Sequence, residues 1–127
     1  MSLMGKKKVL IIDDEKNFTD MVKLNLEETG RFTVRVENKG SSGYSAAKDF
    51  KPDLILLDIM MPDKDGGNVL YEIKNDDEMK NIPVVFLTAI VKTNEDPSID
   101  GHISGKPYLA KPVNFGKLVD CIDHNVQ

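Results

Sequence analysis

Side chains able to handle a phosphoryl group recur at the ends of strand-like runs in this chain. Asp13 and Asp14 follow the apolar run 9–12, Asp58 follows 54–57, Lys111 follows 108–110, and Thr88 closes the run 84–87. In an open parallel sheet all carboxyl ends point the same way, and ligands bind in the crevice outside them. Three carboxylates, one hydroxyl and one ammonium gathered there describe a divalent cation site beside an oxygen nucleophile.

Each residue type has its own chemical reason. A carboxylate attacks phosphorus competently once the charge of the incoming phosphoryl group is neutralised, which a bound Mg²⁺ does while aligning the oxygens. Mg²⁺ takes oxygen ligands and retains several waters, so a few carboxylates and a carbonyl suffice. Asp13, Asp14 and Asp58 supply such donors. Lys111 offers a mobile cation to phosphoryl oxygens, and Thr88 offers a hydroxyl. Ala89, next to Thr88, is small enough to leave the crevice open.

The elements that must position these groups alternate along the chain. Strand-like runs at 9–12, 32–36, 54–57, 84–87 and, more weakly, 108–110 alternate with stretches of helical period. The first, third and fourth are continuously apolar, as strands covered on both faces should be. Phe18, Met21, Val22 and Leu26 form one helical stripe, Gly43, Ala46, Ala47 and Phe50 a second, and Val69, Leu70 and Ile73 a third. Phe115, Leu118, Val119, Ile122 and Val126 form the last. Gly30, Pro52 and Pro83 mark helix exits. This alternation predicts an α/β protein of five right-handed βα units in a doubly wound sheet. Residues 91–104 carry Pro97 and few apolar side chains, so a fourth helix there is expected to be short, irregular or absent.

Length and composition set the bounds. The 127 residues suit one domain with a real core, and 40% hydrophobic with 30% charged residues is the balance of a soluble globular protein. No apolar run approaches a membrane span. A net charge of -4 gives no reason to expect direct nucleic-acid binding. The one basic cluster, Lys6, Lys7 and Lys8, reads as a strand entry. The single Cys121 excludes an internal disulfide framework and fits a reducing, cytoplasmic setting. Residues 1–6 read as a disordered leader, with Met1, Ser2 and Leu3 ahead of Met4 suggesting an appended tag, and 7–127 as the folded domain.

Five motifs taken in order resemble the receiver domain of two-component response regulators. They are Ile11-Ile12-Asp13-Asp14-Glu15, Asp58-Ile59-Met60-Met61-Pro62 with Asp65-Gly66, Thr88-Ala89, and Tyr108-Leu109-Ala110-Lys111-Pro112. The resemblance implies a flavodoxin-like fold with five parallel strands in the order 2-1-3-4-5 and five helices. It implies Asp58 as phosphoacceptor, with Mg²⁺ or Mn²⁺ held by Asp13, Asp14, Asp58 and the Met60 carbonyl. Thr88 and Tyr108 become the switch pair, Lys111 the basic contact, Ala89 and Pro112 the site lining, and Lys111-Pro112 a cis peptide. Its phosphodonor would be a sensor histidine kinase or a histidine phosphotransfer domain. Such a phosphoprotein in a phosphorelay is a switch with phosphoryl-transfer and autodephosphorylation activity only, not an enzyme. An output domain or effector, and a homodimer formed on phosphorylation, are further implied partners. The family usually has a Gly-Ala turn where this chain has Gly105-Lys106-Pro107.

Simpler and competing readings separate on single residues. Asp14 could merely cap the first helix, which leaves Asp58 and Lys111 without a role. Asp65 reads as a cap for the third helix. A dehalogenase-type phosphatase would need a second acid two residues after the nucleophile, where Met60 stands. A receiver-like interaction module that has lost phosphorylation would show gaps in the acidic set, and there are none. A flavin site would need a Ser/Thr/Gly-rich loop after the first strand, which is missing.

Overall fold

The computed structural model of the chain describes residues 5–89, 102–103 (backbone only) and 106–126. Five parallel strands form its centre: β1 (Lys7–Ile12), β2 (Phe32–Glu37), β3 (Leu54–Asp58), β4 (Val84–Thr88) and β6 (Lys106–Ala110). They lie in the order β2-β1-β3-β4-β6, which is the expected 2-1-3-4-5 arrangement. One element was not expected. The two-residue strand β5 (His102–Ile103) runs antiparallel to β6 at the sheet edge, Ile103 opposite Lys106. Two residues carry no period, so pattern could not mark it. The rest of the expected fourth helix region, 91–101 and 104, lies outside the described residues, as do residues 1–4 of the expected leader 1–6.

The described helices are α1 (Lys16–Glu28), α2 (Gly43–Phe50), α3 (Gly66–Lys74) and α4 (Phe115–Asn125), with a short 3-10 turn at Gly40–Ser42. Strand side chains alternate between faces, and both faces are covered. Val9, Ile11, Leu54, Leu56, Val85 and Leu87 pack with Val22 and Leu26 of α1 and with Leu118 and Ile122 of α4. Leu10, Ile12, Ile55, Leu57, Val84 and Phe86 pack instead with Ala46 and Ala47 of α2 and with Val69 and Ile73 of α3. Each fully buried Leu or Ile contributes roughly 1.5–3 kcal/mol by leaving water. That sandwiching explains why β1, β3 and β4 read as unbroken apolar runs.

Helix ends follow the local chemistry. Asp65 caps α3 as its sequence position suggested, its carboxylate accepting from Asn68 N at 2.9 Å. Gly30, with φ of 78°, takes the left-handed conformation that ends α1. Two residues of the expected stripes lie outside the core, Met21 at 47% and Phe115 at 38% exposed. Met21 sits at the angular edge of its stripe, and Phe115 is the first residue of its helix, at the end of the packed face. Thr19 is buried instead, its hydroxyl donating to Lys16 O at 3.0 Å. Among the described residues no helix is long and apolar enough to cross a membrane.

Candidate functional site

The parallel register brings the strand ends level. Ile12 pairs with Leu57 and Asp58 with Leu87 across the three central strands, so Asp13 and Asp58 end neighbouring strands. Thr88 pairs with Ala110, and Lys111 N donates to Thr88 O at 2.9 Å, which sets Lys111 beside the same edge. Asp58 and Thr88 are the last residues of their strands. Asp13 and Lys111 come immediately after theirs.

A cleft of about 320 Å³ opens there, lined by Asp14, Glu15, Asp58, Met60, Ala89 and Lys111. Carboxylate oxygens of Asp13, Asp14 and Asp58 all lie within 4.8 Å of one another. Asp13 is fully buried and Asp58 is 5% exposed, while Asp14 faces solvent at the mouth. Lys111 Nζ stands 2.7 Å from Asp13 Oδ2, 2.6 Å from Glu15 Oε1 and 3.9 Å from Asp58 Oδ2. Its approach to Asp13 is an ion pair without hydrogen-bond alignment, so the buried Oδ2 has no aligned donor. Met60 N donates to Asp58 Oδ1 at 3.3 Å, and the exposed Met60 side chain leaves its backbone at the cleft.

These neighbours set the protonation. Burial pushes the Asp58 carboxyl up to about 7, reinforced by the Asp13 charge and opposed by Lys111 and the Met60 N–H. Burial also raises Asp13, against the pull of Lys111 and the Glu15 N–H. Lys111 loses solvation, yet Asp13 and Glu15 hold its ammonium above the ordinary lysine value. Two raised carboxyls and an oxygen without an aligned donor form a site short of positive charge. A hard divalent cation taking only oxygen ligands fits that shortage.

The remaining predicted residues are nearby in different ways. Thr88 is buried at 2% exposure at the end of β4, and Ala89 lines the cleft. Tyr108 pairs with Phe86 in register and packs half-buried against the α2–α3 side of the core, so it does not line the cleft. Pro112 is exposed and its peptide bond to Lys111 is cis. A larger cavity of about 400 Å³ lies elsewhere, lined by Lys48, Lys51, Pro52, Glu78, Met79 and Ile82. Its one carboxylate, Glu78, is paired with Lys48 at 3.6 Å.

Three participants were not anticipated. Glu15 pairs with Lys111, Phe18 presents its ring 4.7 Å from Lys111 Nζ, and Asn38 donates to Asp13 O at 2.8 Å. Asn38 follows β2, and applying the strand-end rule to that strand would have found it.

The response regulator receiver domain family matches residues 9–123. The chain belongs to that family. The receiver is 36% identical over 113 residues to the DNA-binding dual master transcriptional regulator RpaA of a Synechocystis strain, covering 88% of this chain and 46% of that protein. It is 32% identical over 117 residues to the polar-differentiation response regulator DivK of Brucella anthropi, covering 91% and 93%. The receiver therefore spans about half of the first relative and nearly all of the second. Among solved structures, the receiver domain of Francisella response regulator 1452 superposes with a TM-score of 0.78 at 30% identity, over 94% of this chain and 95% of that one. The receiver is thus a flavodoxin-like signalling module of two-component systems, a class of switches and not of metabolic enzymes.

Proposed function

We propose that this receiver accepts a phosphoryl group on Asp58 from the phosphohistidine of a sensor kinase or phosphotransfer domain. The observation that carries this is the convergence of Asp58 with Asp13, Asp14 and Lys111 in one cleft. Asp58 Oδ would form the new bond to phosphorus as the bond to the donor imidazole nitrogen breaks, the imidazole leaving with that electron pair. Mg²⁺ or Mn²⁺, held by Asp13, Asp14, Asp58 and the Met60 carbonyl, would supply the charge neutralisation this step needs. Met60 N holds Asp58 Oδ1, leaving Oδ2 on the side of Lys111 as the attacking oxygen. Lys111 would follow the phosphoryl oxygens, since its ammonium already lies 3.9 Å from that oxygen.

Thr88 and Tyr108 are the proposed switch. A phosphorylated Asp58 brings roughly two negative charges and new acceptor oxygens, which draw in a hydroxyl at the neighbouring strand end. Movement of Thr88 would leave room for Tyr108, only half-buried on β6, to turn inward. The domain unit is taken as 7–127, acting in the cytoplasm and relaying its state to an output domain, effector or second copy. Autodephosphorylation would reset it.

Beryllofluoride with Mg²⁺ mimics the phosphoryl group, and its binding followed by NMR tests the reading. Saturable shifts at Asp58, Thr88 and Lys111 are expected for the natural chain and none for Asp58→Asn. No Mg²⁺-dependent shift in the natural chain would overturn it.

A further inference from the structure

Glu15 sits where a helix normally places a short capping side chain. It is the N-cap residue of α1, a position favouring Ser, Thr, Asp or Asn, yet its side chain makes no capping hydrogen bond. The carboxylate is turned to Lys111 instead, with Oε1 2.6 Å from Nζ. Two contacts fix this orientation. The Glu15 backbone N–H donates to Asp13 Oδ1 at 2.9 Å, so Asp13 itself sets the position of its neighbour. The Phe18 ring, 4.7 Å from Nζ, holds the ammonium on the α1 side of the cleft.

Lys111 therefore spans two carboxylates of opposite character. Asp13 is fully enclosed, whereas the Glu15 side chain is 60% exposed. A divalent cation held by Asp13 would stand against the ammonium now at that oxygen, and like charges at such a distance repel strongly. Lys111 must then leave Asp13. With Glu15 already in contact, it can do so without losing a counter-charge, by moving outward to a partner at the solvent edge.

We propose that Glu15 is a positioning residue that receives Lys111 when a divalent cation takes Asp13, and so sets how readily the cleft accepts that cation. The proposal rests on the phosphoacceptor reading and adds to it a determinant of cation affinity that acts through Lys111. Glu15 would touch neither cation nor phosphoryl group.

Its test is a double-mutant cycle on the Mg²⁺ dissociation constant, measured by calorimetry on the phosphate-free protein. Glu15→Gln should weaken Mg²⁺ binding roughly threefold to fivefold, the scale of one partly exposed ion pair. In the Lys111→Met background the same change should weaken it by less than about 1.5-fold, because no ammonium needs to be received. Equal weakening in both backgrounds would mean that Glu15 acts only by through-space charge, and would overturn the proposal, as would no weakening in the natural background. Mg²⁺ binding that is indifferent to Asp13→Asn would instead overturn the functional reading, and the role of Glu15 with it.

Discussion

Asp13 and Lys111 form an ion pair across the end of the sheet, Oδ2 to Nζ at 2.7 Å, in which the carboxylate is fully buried and the lysine side chain is 11% exposed. A buried pair of this kind costs desolvation on both sides, and removing Lys111 leaves the enclosed Asp13 carboxylate without its counter-charge. Lys111→Met should therefore destabilise the metal-free protein by about 1–3 kcal/mol at pH 8, less than for a fully enclosed pair because the cleft opens to water. Mg²⁺ should restore more stability to the variant than it adds to the natural chain, since Lys111 no longer competes for Asp13. Urea unfolding with chelator and with Mg²⁺ measures both effects.

Asp58 gives the metal-free protein a pH dependence of definite sign. Its carboxyl titrates near the ordinary value of 3.8 when unfolded and at about 7 in the folded cleft, so the folded state holds the extra proton between those values. Stability from this group is complete below about pH 4 and is lost as pH rises through 7. Asp58→Asn should shrink that loss and leave the metal-free variant more stable than the natural chain at pH 8. Melting temperatures in chelator from pH 4 to 8 provide the check, and a variant that follows the natural profile would count against the raised Asp58.

A second carboxylate titrates with the opposite sign, far from the cleft. Lys48, the Tyr44 hydroxyl and the Glu78 N–H hold Asp76 down at about 2, tying α2 to the turn after α3. Its contribution is present above the ordinary carboxylate value and is lost as pH falls from about 4 through 2. Asp76→Asn should lower the melting temperature at neutral pH and flatten its fall in acid, with Mg²⁺ affinity unchanged.

Gly66 fixes the backbone behind the nucleophile. A Cβ there would lie 2.4 Å from Asp58 O and 2.9 Å from Ile59 Cα, while Gly66 N donates to Ile59 O at 2.8 Å. Gly66→Ala must push the strand end away and should cost about 1–3 kcal/mol. It should also weaken Mg²⁺ binding, because Asp58 and Met60 move together. A substitution tolerated in both measurements would contradict this close seating.

The ends of β1, β3 and β4 were legible because those strands are buried on both faces. Unbroken apolar runs stop where a polar side chain appears, so Asp13, Asp58 and Thr88 announced themselves, while Lys111 follows the half-buried β6 and stood out less sharply behind the weak run 108–110. Glu15 did not, since its partner Lys111 lies 96 positions away and an acid at a helix start is unremarkable. Thr19 was hidden for a related reason. A threonine reads as solvent-facing, but Lys16 O and the Asn38 amide satisfy its hydroxyl inside the protein. Tyr108 carries apolar and polar character at once, and period alone could not say that it packs on the α2–α3 face outside the cleft.

Whether Asp58 accepts a phosphoryl group with Mg²⁺ is decided by incubating the protein with acetyl phosphate and Mg²⁺ and mapping the label by intact and peptide mass. One acid-labile phosphoryl group per chain is expected, carried on Asp58, lost in Asp58→Asn and absent when the metal is chelated. Undiminished single labelling of Asp58→Asn, or no labelling of the natural chain by acetyl phosphate or by any histidine-kinase phosphodonor, would contradict it.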